Sequence, residues 1–405
     1  MTTFFSSIPL APRDPILGLT ETFLADTRAH KINLGVGVYT DENGQIPLMA
    51  AVQAAHRHLF EQSRPHGYLP IDGLKRFNTS VQTLLLGAER TAKLKNQLVT
   101  VQTLGGTGAL KVGADFLKSF YGHARVVISD PSWENHRALF ETAGFNVDSY
   151  PYYDAKHNRI DFAHMMAAWQ NYAAGTIVVL HACCHNPTGL DLNVEQWHEA
   201  VQMIQEKKLI PFVDMAYQGF GSGIENDSLV LRLISDANIP CFIANSFSKS
   251  FSLYGERVGA LTVLTQSETE SSCVLSQLKK TIRTNYSNPP SFGAAVVATI
   301  LDNHELSQQW QQELESMRQR INHNRNRLIT ELMAPENPVK KDFEFLKMQR
   351  GMFSFSGLTK AQIDQLREDF AIYALTNGRI CVAALRQDNI GPVVAAIRQI
   401  LNRDA

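Results

Sequence analysis

Cysteine is scarce in this chain, and net charge is nearly absent. Among 405 residues there are five cysteines, at 183, 184, 241, 273 and 381, an odd count with no paired spacing. That excludes the even disulfide framework of a small secreted fold and fits a reducing compartment. Thirty-eight basic residues against thirty-nine acidic ones leave a net charge of −1. No field is available to gather nucleic acid or an anionic membrane. The opening MTTFFSSIPLAPRD lacks a basic, apolar leader, and no apolar run approaches the ~20 residues that span a bilayer. A soluble cytoplasmic protein acting on small molecules is expected, with no nucleic acid and no membrane partner. The run HACCH, 181–185, offers four potential metal ligands. It has no second ligand pair farther along, and neighbouring side chains on a strand face opposite ways. No metal is expected.

What the chain does have is apolar residues, 44% of the total, and a length beyond one hydrophobic core. Short apolar runs recur at 98–104, 125–130, 175–183, 209–217, 241–247 and 259–264, without the polar alternation of a half-exposed strand. Strands buried on both faces read this way. Between them, 109–120 and 194–207 have helical periodicity. The alternation predicts an α/β domain with a mostly parallel central sheet flanked by helices. A long charged helix over 306–333 leads into a stretch with strand, helix and strand character, expected to be a smaller α+β domain. The predicted division is 1–45 as an amino-terminal arm and part of the small domain, 46–305 as the large domain, and 306–405 as the small domain.

In an open parallel sheet, ligands bind outside the carboxyl ends of the strands. After LVTVQTL comes GGTGAL, 105–110, whose glycines and following helix could cradle a phosphate. A merely tight strand-to-helix turn explains it equally well, and the dinucleotide spacing G-x-G-x-x-G is missing. In FVDMAYQGFG, Asp214 ends a buried strand with Tyr217 three residues on. A carboxylate there needs a positive partner, unless it caps a helix. NSFSKSFSLYGERVG, 245–259, sets Lys249 between hydroxyls, with Arg257 close by. A phosphorylated, cationic aromatic ring bearing an aldehyde would engage phosphate cradle, carboxylate, phenol and amine together.

These stretches resemble the class I, fold-type I pyridoxal-phosphate aminotransferases, within the aspartate and aromatic-amino-acid group. The likeness runs from INLGVGVYTDENG (32–44) and GYLPIDGL (67–74) through SDPSWENH (129–136), CCHNPTG (183–189) and DMAYQGF (214–220). It continues in NSFSKSFSLYGERVG, IRTNYSNPP (282–290), QRGMFSFSGL (349–358) and NGRICVA (377–383). The resemblance implies pyridoxal 5′-phosphate held covalently by Lys249, which then serves as proton carrier. It implies that Asp214 pairs with the ring nitrogen, that His136 supports Asp214 from behind, and that Tyr217 and Asn186 donate to the ring's phenolic oxygen. Trp133 would stack on the ring. Gly106, Thr107, Ser246, Ser248 and Arg257 would bind phosphate, with Tyr68 reaching in from a second subunit of a homodimer with shared active sites. A guanidinium fork suits phosphate oxygens.

For the substrate, the resemblance implies that Arg379 clamps the α-carboxylate, assisted by the Gly37 backbone, with Trp133 and Asn186 alongside. Arg283 would cross the dimer interface to meet a second carboxylate. Gly105 stands where the aspartate branch usually carries serine, which brings the chain nearer the tyrosine and aromatic branch. The expected reaction moves the amino group of phenylalanine, tyrosine and tryptophan to 2-oxoglutarate by ping-pong chemistry, with some aspartate activity. The alternatives are a dedicated aspartate aminotransferase, an NAD(P)-dependent oxidoreductase built on GGTGAL, and a non-catalytic cofactor-binding protein.

Overall fold

The six apolar runs become neighbouring strands of one seven-stranded sheet, in the computed structural model of residues 3–12, 14, 16–62, 65, 67–336 and 339–403. Across the sheet the order is Leu98–Leu104, Val258–Leu264, Cys241–Ser246, Ile210–Met215, Ile177–His181, Val126–Asp130 and Val147–Pro151. Only Val258–Leu264 runs antiparallel to its neighbours. Consecutive residues such as Phe212 and Val213 feed separate apolar cores on opposite faces, and both are fully buried. That double burial removes polar alternation from the sequence. The strand Val147–Pro151, at the sheet edge, buries only Val147 and Tyr150. Its polar residues hid it from the apolar-run criterion.

One antiparallel strand decides where the functional side chains meet. Six strands end at the same rim, and Val258 pairs with Leu104 there. The amino end of the reversed strand, and with it Arg257, therefore joins the carboxyl ends of the other six.

The helix Gly105–Phe120 starts in the glycines themselves, earlier than the expected 109. Gly105 has φ +69°, and a Cβ on Gly259 would fall 2.3 Å from the Gly105 carbonyl carbon. Two backbones touch there, which a side chain would prevent. The helix Val194–Lys207 has the predicted bounds, fixed by a capping box between Asn193 and Gln196. The long helix His304–Leu332 buries Trp310, Leu314, Met317, Ile321, Arg325 and Leu328 at helical intervals.

Beyond it, Phe353–Phe355 pairs antiparallel with Arg379–Cys381. Ile32–Asn33 pairs parallel with Ile372–Tyr373, joining an early segment to a late one. Among the described residues, no helix is long and apolar enough to cross a membrane.

Candidate active site

The shared rim opens on a cleft of about 220 Å³ lined by Lys249, Asp214, Tyr217, Asn186, Trp133, Gly37, Gly106, Thr107, Ser246, Ser248, Arg257 and Arg379. Residues from seven separate stretches of sequence thus converge at one place. His136 lies just outside it, behind Asp214. Tyr68 and Arg283 are not in it. Tyr68 is 94% exposed, and Arg283, on the helix Glu268–Asn285, is exposed and donates to Ser287 Oγ.

Lys249 follows the strand Cys241–Ser246 and holds its Nζ 4.9 Å from the Tyr217 ring centre. Burial pulls its pKa from the usual lysine range down to about 8; Asp214 opposes that fall, while Arg257 and Arg379 add to it. At pH 7 about a tenth of such amines are unprotonated, roughly two orders of magnitude more than for an ordinary lysine. Only the unprotonated form attacks a carbonyl.

Asp214 ends the strand Ile210–Met215 and is 6% exposed. Burial alone would raise its pKa, but the His136 hydrogen bond and the positive charges nearby outweigh that and hold it below the usual value. An ionised carboxylate only accepts, so His136 Nε2 carries the hydrogen and donates to Asp214 Oδ2 at 2.9 Å. His136 Nδ1 lies 3.1 Å from Ser132 Oγ. His181 tilts against His136 at 4.9 Å between ring centres. Burial, then the neighbouring His136, lowers its pKa to about 3, so His181 is neutral. Its buried Nε2 has no partner among the described residues.

At one end of the cleft the first turn of the helix Gly105–Phe120 faces Ser246, Ser248 and Arg257. Arg257 donates to Ser248 Oγ at 3.3 Å and to the Tyr254 carbonyl at 3.0 Å. Neither acceptor is an anion. A Cβ at Gly106 would sit 3.0 Å from Ser246 Cβ, and one at Gly105 would sit 2.6 Å from Arg257 Nη2. The glycines thus keep open a cradle whose donors and positive charge suit a phosphate.

At the other end Arg379, 1% exposed, donates to Asn186 Oδ1 at 3.0 Å and to the Gly35 carbonyl at 2.7 Å. The Phe353 ring lies 4.0 Å from its guanidinium carbon. Burial lowers its pKa. A buried guanidinium without a carboxylate is costly, and a bound anion would relieve that cost.

Some cleft residues escaped the sequence reading, namely Ile16, Leu110, His181, Ala216, Tyr254 and Phe353. Tyr254 had a signal, since it lies between Lys249 and Arg257; its hydroxyl accepts from the Tyr39 amide at 3.0 Å. Phe353 had none, because its place depends on the pairing with Arg379–Cys381.

The cysteines of HACCH do not lie on the strand, contrary to the expectation that their side chains face opposite ways. The strand ends at His181, and Cys184 adopts a left-handed φ of +52°. The thiols of Cys183 and Cys184 therefore do not diverge as on a strand; with an Asp227 oxygen they all lie within 4.8 Å of one another. Asp227 is engaged with the backbone amides of Gly219, Gly221 and Ser222. The Cys184 contact and burial raise the Cys183 pKa, and burial raises that of Cys184 to about 11. Both thiols are thus protonated near neutral pH.

Residues 29–397 match the family described as "Aminotransferase class I and II". The chain belongs to that family. This aminotransferase is 53% identical over 399 residues to the aspartate aminotransferase of Pseudomonas aeruginosa, covering 98% of this chain and 100% of the relative. It is 45% identical over 400 residues to the aromatic-amino-acid aminotransferase of Escherichia coli K12, with the same coverage. Its fold matches the crystal structure of the aromatic-amino-acid aminotransferase of Burkholderia pseudomallei covalently bound to pyridoxal phosphate, with a TM-score of 0.95 and 57% identity, covering 98% of this chain and 100% of that one. This aminotransferase is therefore of the aspartate and aromatic type. The nicotinamide and non-catalytic readings fall with that finding.

Proposed function

We propose that the chain is an aromatic-amino-acid aminotransferase that uses pyridoxal 5′-phosphate to pass the amino group of phenylalanine, tyrosine or tryptophan to 2-oxoglutarate, retaining some aspartate activity. One observation carries the reading. A lysine with depressed pKa and a buried carboxylate lie between two arginines, Arg257 and Arg379, that have no acidic partner among the described residues. When bound, the cofactor supplies an aldehyde for the amino group and a cationic ring that withdraws electrons from the substrate Cα.

The chain's own residues do the rest. Lys249 would hold the cofactor's aldehyde, and its amine would carry the proton to and from the substrate Cα. Asp214, oriented by His136, would hold the ring nitrogen in its protonated form. Tyr217, Asn186 and Trp133, which line the same cleft, would hold the ring, the first two as hydrogen-bond donors and the third by apolar contact. Gly106, Thr107, Ser246, Ser248 and Arg257 bind the phosphate. Arg379 and the Gly37 backbone orient the α-carboxylate, and orientation of this kind is itself a large rate term.

Tyr68 and Arg283 act across a homodimer interface, as their exposure in the single chain supports. Leu48, Phe60 and Phe292 are exposed apolar side chains that a second copy would cover. Residues 1–45 and 306–405 act together as a smaller lobe against 46–305, a division favoured by the pairing of Ile32–Asn33 with Ile372–Tyr373. The composition agrees with a cytoplasmic location.

A dedicated aspartate aminotransferase is the second reading, favoured by the relative of that name at 53% identity. Steady-state comparison of tyrosine, phenylalanine and aspartate as donors to 2-oxoglutarate decides between them. The aromatic reading requires kcat/KM for tyrosine at least comparable to that for aspartate. A lead for aspartate by orders of magnitude selects the second.

A further inference from the structure

Arg325 is a buried cation with no part in the chemistry above. It projects from the helix His304–Leu332, is 3% exposed, and among the described residues has no carboxylate partner. A guanidinium out of water needs an acceptor for its donors. Here Nε donates to Ser354 Oγ at 3.2 Å and Nη1 to Asn322 Oδ1 at 3.0 Å. Nη2 donates to the Gly351 carbonyl and, at 3.5 Å, to that of Phe353. All but Asn322 belong to residues 351–354.

That short segment touches both neighbours of Arg379. On one side the Phe353 ring stacks on the Arg379 guanidinium at 4.0 Å, and a Cβ on Gly37 would meet the same ring at 2.9 Å. On the other side Gly351, with φ +78°, packs so tightly on Cys184 that a Cβ would lie 2.5 Å from the cysteine's own. Cys184 stands two residues before Asn186, which accepts from Arg379. The Arg350 amide also donates to the Gly189 carbonyl at 2.6 Å, lacing this segment to the 184–189 loop.

We propose that Arg325 is a positioning residue for carboxylate recognition: by pinning residues 351–354 it holds Phe353 and Asn186 against Arg379 and so sets the affinity for the substrate carboxylate. The inference rests on reading Arg379 as the carboxylate clamp. An arginine is needed because a planar fork reaches several diverging acceptors at once, whereas a lysine presents one compact charge. Methionine of similar length would leave the Gly351 carbonyl without this donor.

The test uses the holoenzyme and 3-indolepropionate, a carboxylate with no amino group to react; 3-indolepropionic acid is the ligand named for one solved aromatic aminotransferase of the same fold. Arg325→Lys and Arg325→Met should each raise its Kd about tenfold, the effect of losing a hydrogen bond to a charged group. The pH titration of the Lys249-linked absorbance should not move. In an Arg379→Ala background the same substitutions should change Kd less than twofold, because the group they position is gone. An unchanged Kd in Arg325→Lys, equal fold-changes on both backgrounds, or failure of both variants to fold overturns the proposal. A wild-type Kd indifferent to Arg379→Ala contradicts the functional reading itself. A Kd that depends on Arg379 but ignores Arg325 sinks only this inference.

Discussion

At Lys249, a side chain ordinarily charged at neutral pH is made a usable nucleophile by the loss of its water, and Asp214 opposes that effect. Two outcomes follow for protein stripped of cofactor. The rate at which pyridoxal phosphate attaches, trapped by borohydride, should rise through an inflection near pH 8. In Asp214→Asn the inflection should move lower, since the group that raises the lysine pKa has been neutralised; an upward movement would contradict the assigned electrostatics. Lys249→Ala should cost at least ~10² in kcat, the low end of what a positioned proton carrier contributes. Lys249 and Asp214 were legible because a charge is expensive to bury without a purpose, and Arg257, exposed beside them, because it follows Lys249 closely in sequence. Phe353 and His181 were not, since an aromatic ring or a histidine near a strand end is ordinary core material until tertiary contacts give it a neighbour.

Among the elements, the strands were legible wherever both faces are buried, and the helix Val194–Lys207 through its helical periodicity. The edge strand Val147–Pro151 was missed because a half-wet strand loses the apolar run. The start of the helix at Gly105 was also missed, because glycines normally argue for a turn. Their position carries a consequence. Gly105→Ala would hold a Cβ at φ +69°, a cost of about 1 kcal/mol or more, and would push on Arg257. Fluorescence titration should show pyridoxal phosphate binding about tenfold weaker, with thermal unfolding of the stripped protein lowered by about 1 °C. Unchanged affinity would mean that Arg257 does not hold the phosphate.

For the whole molecule, pH and assembly are the informative variables. His181 is neutral down to about pH 3, and burial holds His185 well below its usual range too. In the unfolded chain both titrate near 6.5, so between that pH and the folded values the unfolded state binds more protons. Stability should therefore fall as pH drops below about 6.5, by up to about 1.4 kcal/mol per pH unit for each histidine. Urea unfolding across pH 6.5 to 5 should show this slope, and His181→Asn should make it shallower; a slope unchanged by that substitution would mean that His181 is charged in the folded state. Arg283→Gln should damage the use of dicarboxylates much more than that of aromatic donors, and equal losses would count against its reaching a partner's cleft. The parallel pairing of Ile32–Asn33 with Ile372–Tyr373 also has a bearing on synthesis. The early strand cannot find its mate until roughly 340 further residues have been made, so this small sheet closes only when nearly the whole chain has been synthesised.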